Sequence, residues 1–138
     1  MYGTILVTLE GTPTDRAIIE HVKELARLAG SHVVLLHVAD GWAARTYGSD
    51  AVSPEIAEDT SYLAKVRKEF EAGGIAAEAE LAFGDPATEI INWIERKSCD
   101  LVAMSTHGHR FVKDVFLGTT VSQVRHSVDV PVLLLRAR

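Results

Sequence analysis

Short apolar runs recur along the chain at residues 5–9, 33–38, 75–83, 101–104 and 132–135, with longer amphipathic stretches between them. A strand, its crossover helix and the next strand together occupy about 30 residues, and the runs repeat at roughly that spacing. The pattern predicts α/β architecture with a largely parallel sheet. Runs 5–9 and 101–104 are nearly continuous in apolar residues, as central strands covered on both faces require. Run 75–83 alternates instead. Ile75, Ala77, Ala79, Leu81 and Phe83 share one side while Glu78 and Glu80 take the other, which predicts an edge strand.

The intervening segments carry helical periodicity. Ile18, Val22, Leu25, Ala26 and Ala29 form one face of a first helix, and Ile56, Leu63, Val66 and Phe70 one face of a second. Gly30 and the pair Gly73-Gly74 stand where helices end in a left-handed residue. Asp85-Pro86 places a capping carboxylate and a first-turn proline before a third helix that turns Ile90, Ile91 and Ile94 inward. A fourth helix is expected to begin near Thr119 and end before Pro131. Residues 40–54, with Trp42, Tyr47 and two glycines, lack periodicity; an insertion of this length is expected to be a mobile loop or a lid over a ligand.

Length and composition narrow the possibilities. A chain of 138 residues, 47% hydrophobic and 24% charged, has room for one compact domain, residues 1–138, and excludes both a two-domain enzyme and a disordered chain. A formal charge of −5 without a basic run argues against sequence-independent nucleic-acid binding. The longest apolar stretches fall far short of the roughly 20 residues that span a bilayer, and no basic leader precedes the first run. A soluble, unsecreted, cytoplasmic protein is therefore expected, with no membrane partner. Cys99, the single cysteine, adjoins an apolar run and is expected to be buried and inert.

In an open parallel sheet, ligands bind beyond the carboxyl ends of strands where the winding reverses, so the loops after strands matter most. Two are chemically rich. One is Thr8-Leu9-Glu10-Gly11-Thr12-Pro13-Thr14; the other is Ser105-Thr106-His107-Gly108-His109-Arg110, followed by Gly118-Thr119-Thr120. Gly108 allows backbone N–H groups to approach an anion, and a helix opening at Gly118-Thr119 would attract negative charge. On the glycines alone, an ordinary turn and helix cap is the favoured reading.

Together these segments resemble the universal stress protein family. Its members open with a strand followed by Asp-Gly-Ser and carry Gly-x2-Gly-x9-Gly-(Ser/Thr) after the fourth strand. The matching residues are Ile5-Leu6-Val7-Thr8-Leu9-Glu10-Gly11-Thr12 and Ser105-x2-Gly108-x9-Gly118-Thr119. Leu35-Leu36-His37-Val38, Gly84-Asp85-Pro86-Ala87, Cys99-Asp100-Leu101-Val102-Ala103-Met104 and Val130-Pro131-Val132-Leu133-Leu134 match as well.

The resemblance implies a five-stranded parallel sheet in the order 3-2-1-4-5 with helices on both faces, a Rossmann-like fold of the adenine nucleotide alpha hydrolase type. It also implies a homodimer through the last strand, residues 132–135, and a stress-response role. It extends to members that bind ATP and members that bind no nucleotide. In the ATP-binding reading, Gly108, Gly118 and Thr119 cradle the phosphates with Thr120 close by, and Ser105 stands where the pattern has its first Gly. Glu10, Gly11 and Thr12 line the base and ribose side, Glu10 replacing the usual Asp with one methylene more of reach. Val38 and Ala39 offer adenine an apolar wall, Arg110 and Lys113 offset phosphate charge, and any Mg²⁺ is held by phosphates and water.

Other chemistry is weaker. Thr106-His107-Gly108-His109 fits the Thr/His-x-Gly-His signature of nucleotidyl transferases but follows the fourth strand rather than the first. His107, His109 and His126 lack the Cys or carboxylate neighbours that complete a metal site. His37 is expected to be a packed strand-end residue. No nucleophile–base pair stands out. The expectation is thus a nucleotide-binding regulatory module acting on an unidentified protein partner without efficient catalysis; the alternatives are a nucleotide-free dimeric interaction protein and a weak ATPase.

Overall fold

The computed structural model describes residues 1–39, 54–106 and 115–137. Strands β1 (Thr4–Thr8), β2 (His32–Ala39), β3 (Ala77–Phe83), β4 (Leu101–Thr106) and β5 (Val132–Arg136) alternate with helices α1 (Arg16–Ala29), α2 (Pro54–Ala72), α3 (Pro86–Arg96) and α4 (Val115–Ser127). The sheet runs β3-β2-β1-β4-β5 and every pairing is parallel. Both the architecture and the edge position of the alternating run are as the sequence predicts.

Strand alternation divides the core in two. Ile5 and Val7 of β1, with Leu9 beyond its end, Val33 and Leu35 of β2, and Leu101 and Ala103 of β4 turn to one face, where Ile18, Ile19, Val22 and Ala26 of α1 and Leu63, Val66 and Phe70 of α2 cover them. Leu6, Val34, Leu36, Val102 and Met104 turn to the other, under Ala87, Ile90 and Ile94 of α3 and Val121 and Val124 of α4. Because helices cover both faces, the central strands tolerate no polar alternation: Ile5, Leu6 and Val7 are all fully buried.

The caps follow the sequence. Gly30 ends α1 at φ 69°, and Asp85 accepts a hydrogen bond from the Thr88 amide at 3.0 Å with Pro86 in the first turn of α3. Asp100 accepts from the Gly3 and Thr4 amides, tying the entry of β4 to that of β1. Burial raises its pKa, but these backbone bonds outweigh that and hold the carboxyl below its ordinary value.

Three boundaries differ from expectation. Strand β3 begins at Ala77 rather than Ile75, because the Ile75 amide bonds to the Phe70 carbonyl and closes the Gly73-Gly74 turn; its side chain still enters the core. Strand β1 ends at Thr8, and the Leu9 carbonyl goes to a histidine. Helix α4 covers Val115–Ser127, so Gly118 and Thr119 lie within it instead of opening it near Thr119. A glycine inside a helix costs about 1 kcal/mol relative to alanine, which the inward packing of Val121 and Val124 offsets. The expectations for residues 40–53 lie outside the described residues. Among those described, no helix is long and apolar enough to cross a membrane.

Candidate functional site

β1 is flanked by β2 on one side and β4 on the other, so the winding reverses between the carboxyl ends of β1 and β4. The loop after β1 is built around a side chain that the sequence reading did not single out. Asp15 is 1% exposed at the entry to α1. Its carboxylate accepts hydrogen bonds from the Glu10 amide at 3.0 Å, the Gly11 amide at 2.9 Å and the Tyr62 hydroxyl at 2.7 Å. A buried carboxylate with three donors is compensated rather than stranded. Burial, then the hydrogen bond to Asp15, push the Tyr62 hydroxyl well above its ordinary pKa and keep it a proton donor.

The carbonyl side of the loop is held as well. His37 Nδ1 lies 2.7 Å from the Leu9 carbonyl oxygen; a carbonyl only accepts, so this nitrogen carries the proton. Nε2 then faces Asp59 Oδ2 of α2 at 3.3 Å without hydrogen-bond alignment. His37 is thus the packed strand-end residue the sequence suggests, with a defined tie to the loop. Gly11 sits at φ +81°, and a Cβ there would lie 3.6 Å from Asp59 Oδ1, so backbone conformation rather than space demands glycine. Glu10 is half-buried and accepts from the Thr14 hydroxyl at 3.2 Å, while the Thr12 and Thr14 hydroxyls bond to each other.

The chemistry of this loop is one-sided. The Glu10 and Gly11 amides, which would otherwise attract an anion, already bond to Asp15. With Asp15 spent on these bonds, the carboxylates left around Gly11 are those of Glu10 and Asp59. This end of the crevice suits amino and hydroxyl donors, not phosphate.

At the end of β4, opposite Leu135 of β5, Ser105 is 4% exposed and its Oγ is buried with no hydrogen-bond partner among the described residues. It follows Leu101 and Ala103 at two-residue spacing and so belongs to the α1/α2 side of the sheet, the side of the Asp15 cluster. Within α4, Thr119 is exposed and Thr120 is 3% exposed. Gly108, His107, His109, Arg110 and Lys113 lie outside the described residues.

The structure does not bring Val38 and Ala39 into one wall: Val38 packs against the α3/α4 core, whereas Ala39, the next residue, takes the opposite face. His126 is exposed in the last turn of α4, and among the described residues no group of three His, Cys, Asp or Glu side chains could hold a metal. Cys99 is buried on the α3/α4 face, where desolvation and then the Asp100 charge push its thiol up to about 11, away from nucleophilic chemistry.

Sequence reasoning missed Asp15, Asp59 and Tyr62. Asp59 carried a signal: it falls on the stripe Ile56, Asp59, Leu63, Val66, Phe70, where a carboxylate interrupts an otherwise apolar face. Asp15 carried another, an acidic residue in the capping position after Thr12-Pro13-Thr14.

The sequence profile of the universal stress protein family matches residues 1–136. Universal stress protein MJ0531 of Methanocaldococcus jannaschii is 27% identical over 143 residues, covering 99% of this chain and 83% of that protein. The solved structure of hypothetical protein MJ0577 superposes with a TM-score of 0.82 at 26% identity, over 100% of this chain and 98% of that one. A universal stress protein from Archaeoglobus fulgidus, solved in complex with dAMP, gives a TM-score of 0.71 at 18% identity over 96% of this chain and 97% of its own, a likeness of fold. With the profile matched over residues 1–136 and the strand order β3-β2-β1-β4-β5 in place, this chain belongs to the universal stress protein family.

Proposed function

We propose that this protein is an adenine-nucleotide-binding module, with ATP as the ligand, that works as a regulatory homodimer in the cytoplasm during stress. The observation that carries the proposal is the Ser105 hydroxyl, buried at the end of β4 without a hydrogen-bond partner among the described residues, on the same side of the sheet as the loop after β1. A buried hydroxyl costs about 1–3 kcal/mol when left unpaired, so a ligand oxygen at that position would repay it.

The two ends of the crevice divide the ligand between them. Glu10, Gly11 and Thr12 face the base and ribose, whose amino and hydroxyl groups meet carboxylates there. In this reading the phosphates fall to Ser105, Gly108, Gly118 and Thr119, with Thr120 close by. The dAMP complex of the Archaeoglobus fulgidus relative supports an adenine nucleotide. Phosphates and water, in this reading, hold any Mg²⁺. In this reading the protein binds nucleotide without efficient turnover.

The second element of the proposal is self-association through β5. Pro131 O bonds to the Val102 amide and the Ala137 amide to Thr106 O, so odd-numbered residues of β5 face β4 and even-numbered ones turn their backbone groups to the open edge. Val132, Leu133, Leu134 and Leu135 make that edge apolar, and Leu134 is 38% exposed. Such an edge is a template for a second strand.

Calorimetric titration of nucleotide-stripped protein with Mg·ATP, with AMP and GTP as controls, tests the binding. Micromolar ATP binding, weaker for AMP and GTP, is expected; Ser105→Ala should then weaken ATP about fivefold to tenfold. No heat and no shift of thermal midpoint at millimolar ATP would leave the nucleotide-free interaction protein.

A further inference from the structure

The loop after β1 is held from beneath by α2. The Leu9 amide still bonds to the Leu36 carbonyl of β2, but from there side chains take over: His37 meets the Leu9 carbonyl, and Asp15 accepts from the Glu10 and Gly11 amides. Each of these side chains is in turn met by α2, His37 by Asp59 and Asp15 by Tyr62. Asp59 and Tyr62 are three residues apart on that helix, so they lie on one face.

Asp15 is the centre of this arrangement. Buried to 1% exposure, its carboxylate spends both oxygens inside the protein and reaches no solvent or ligand. Gly11 at φ +81° is a conformation with few alternatives, and two amides pointing at one carboxylate fix it. The direction of the Glu10 side chain follows from that backbone.

We propose that Asp15, braced by the Tyr62 hydroxyl, is the positioning residue that fixes the Glu10–Gly11 backbone so that Glu10 meets the sugar and base of the nucleotide. This rests on the adenine-nucleotide reading above. It assigns a function to a side chain that itself touches no ligand. It also makes α2 a structural partner of the site: displacing Tyr62 would loosen the loop without changing any ligand-facing group.

The test is a split between affinity and stability. Mg·ATP dissociation constants are measured by calorimetry for the full chain and for Asp15→Ala, Asp15→Asn and Tyr62→Phe, each well below its own thermal midpoint. Ile19→Val, a core change in α1 that removes no hydrogen bond, is the control for lost stability alone. Loss of charge-assisted hydrogen bonds should weaken ATP about tenfold or more in Asp15→Ala and about threefold in Tyr62→Phe. Asp15→Asn should fall between wild type and Asp15→Ala, since its one acceptor oxygen restores part of the tie to the amides. The Gly11 amide proton should lose its exchange protection in the same order. Ile19→Val should lower the midpoint and leave the dissociation constant unchanged.

Variants that melt earlier yet bind ATP like wild type would overturn the positioning role while leaving nucleotide binding intact. A wild-type protein that binds no nucleotide would instead overturn the binding reading and this inference with it. Should Asp15→Ala not fold, Asp15→Asn and Tyr62→Phe decide the matter.

Discussion

The two faces of the sheet are closed by different means. On the α1/α2 face an apolar cluster is crossed by polar links between distant elements: Arg16 and Lys23 of α1 to Glu69 of α2, Tyr62 to Asp15, and Asp59 to His37. On the α3/α4 face the joining material is apolar, from Leu6 and Met104 in the sheet to Ile94 and Val124 in the helices. Its charged group, Lys97 with Glu78 and Glu80, sits at the rim beside the edge strand β3. Two of these, the Tyr62–Asp15 bond and the Asp59–His37 contact, lie behind the loop after β1, while the Glu69 pairs join α1 to α2. Apolar packing holds a helix against a sheet but does not choose the direction of a loop's amides; directional bonds do.

If the faces differ in their links and not in their cores, emptying either core should cost alike. Phe70→Ala on the α1/α2 face removes a fully buried ring and should destabilise by about 3–5 kcal/mol; Met104→Ala on the other face should cost about 2–5 kcal/mol. Urea denaturation with both variants measures this. A loss under about 1 kcal/mol at either site would mean that one core is loosely packed and that the contrast is one of packing after all.

How legible each face was from sequence follows the same division. Ile18, Val22, Ala26, Leu63, Val66, Phe70, Ile90 and Ile94 recur at helical spacing, and all are buried where that spacing places them. The Asp85 cap is local and was equally readable. Asp15 and Tyr62 are 47 residues apart, and Arg16 and Glu69 53, so only the packing of α2 onto the sheet decides that they meet. The switch-point geometry came through strand order. The chemistry of the loop did not, because Glu10 was visible as a motif residue while Asp15, which disposes of its amide, looked like part of a turn. Gly118-Thr119 misled for the converse reason: a local cap signature yielded to a helix already under way at Val115.

The α3 cap provides a smaller test confined to the apolar face. Asp85→Ala leaves the Thr88 amide without its acceptor and should cost about 1 kcal/mol. ATP affinity should stay unchanged, because the loop after β1 is held by Asp15, His37 and α2 rather than by the α3 cap. A matched loss of affinity would show that the two faces are coupled through the sheet and that their separation is too sharply drawn.

The smallest expected effect is the most selective. Hydrogen bonds from Arg16 at 2.7 Å and then Lys23 at 3.0 Å outweigh burial and lower the Glu69 pKa from 4.5 to about 2. The folded state therefore binds the Glu69 proton more weakly than the unfolded chain does. The stability gained is fully present above the unfolded value, near 4.5, and is lost as pH falls from there through about 2. Arg16 is half exposed, so water and salt screen the pair and the contribution at neutral pH is modest. Glu69→Gln should consequently change the midpoint little at pH 7, yet flatten the fall in stability between pH 4.5 and 2, and added salt should flatten the wild-type profile toward that of the variant. Thermal melts across that pH range decide it. An acid profile unchanged by Glu69→Gln would place the acid-sensitive carboxylates elsewhere, with Asp100 the next to test, since its bonds to the Gly3 and Thr4 amides tie the central strands rather than either helical face.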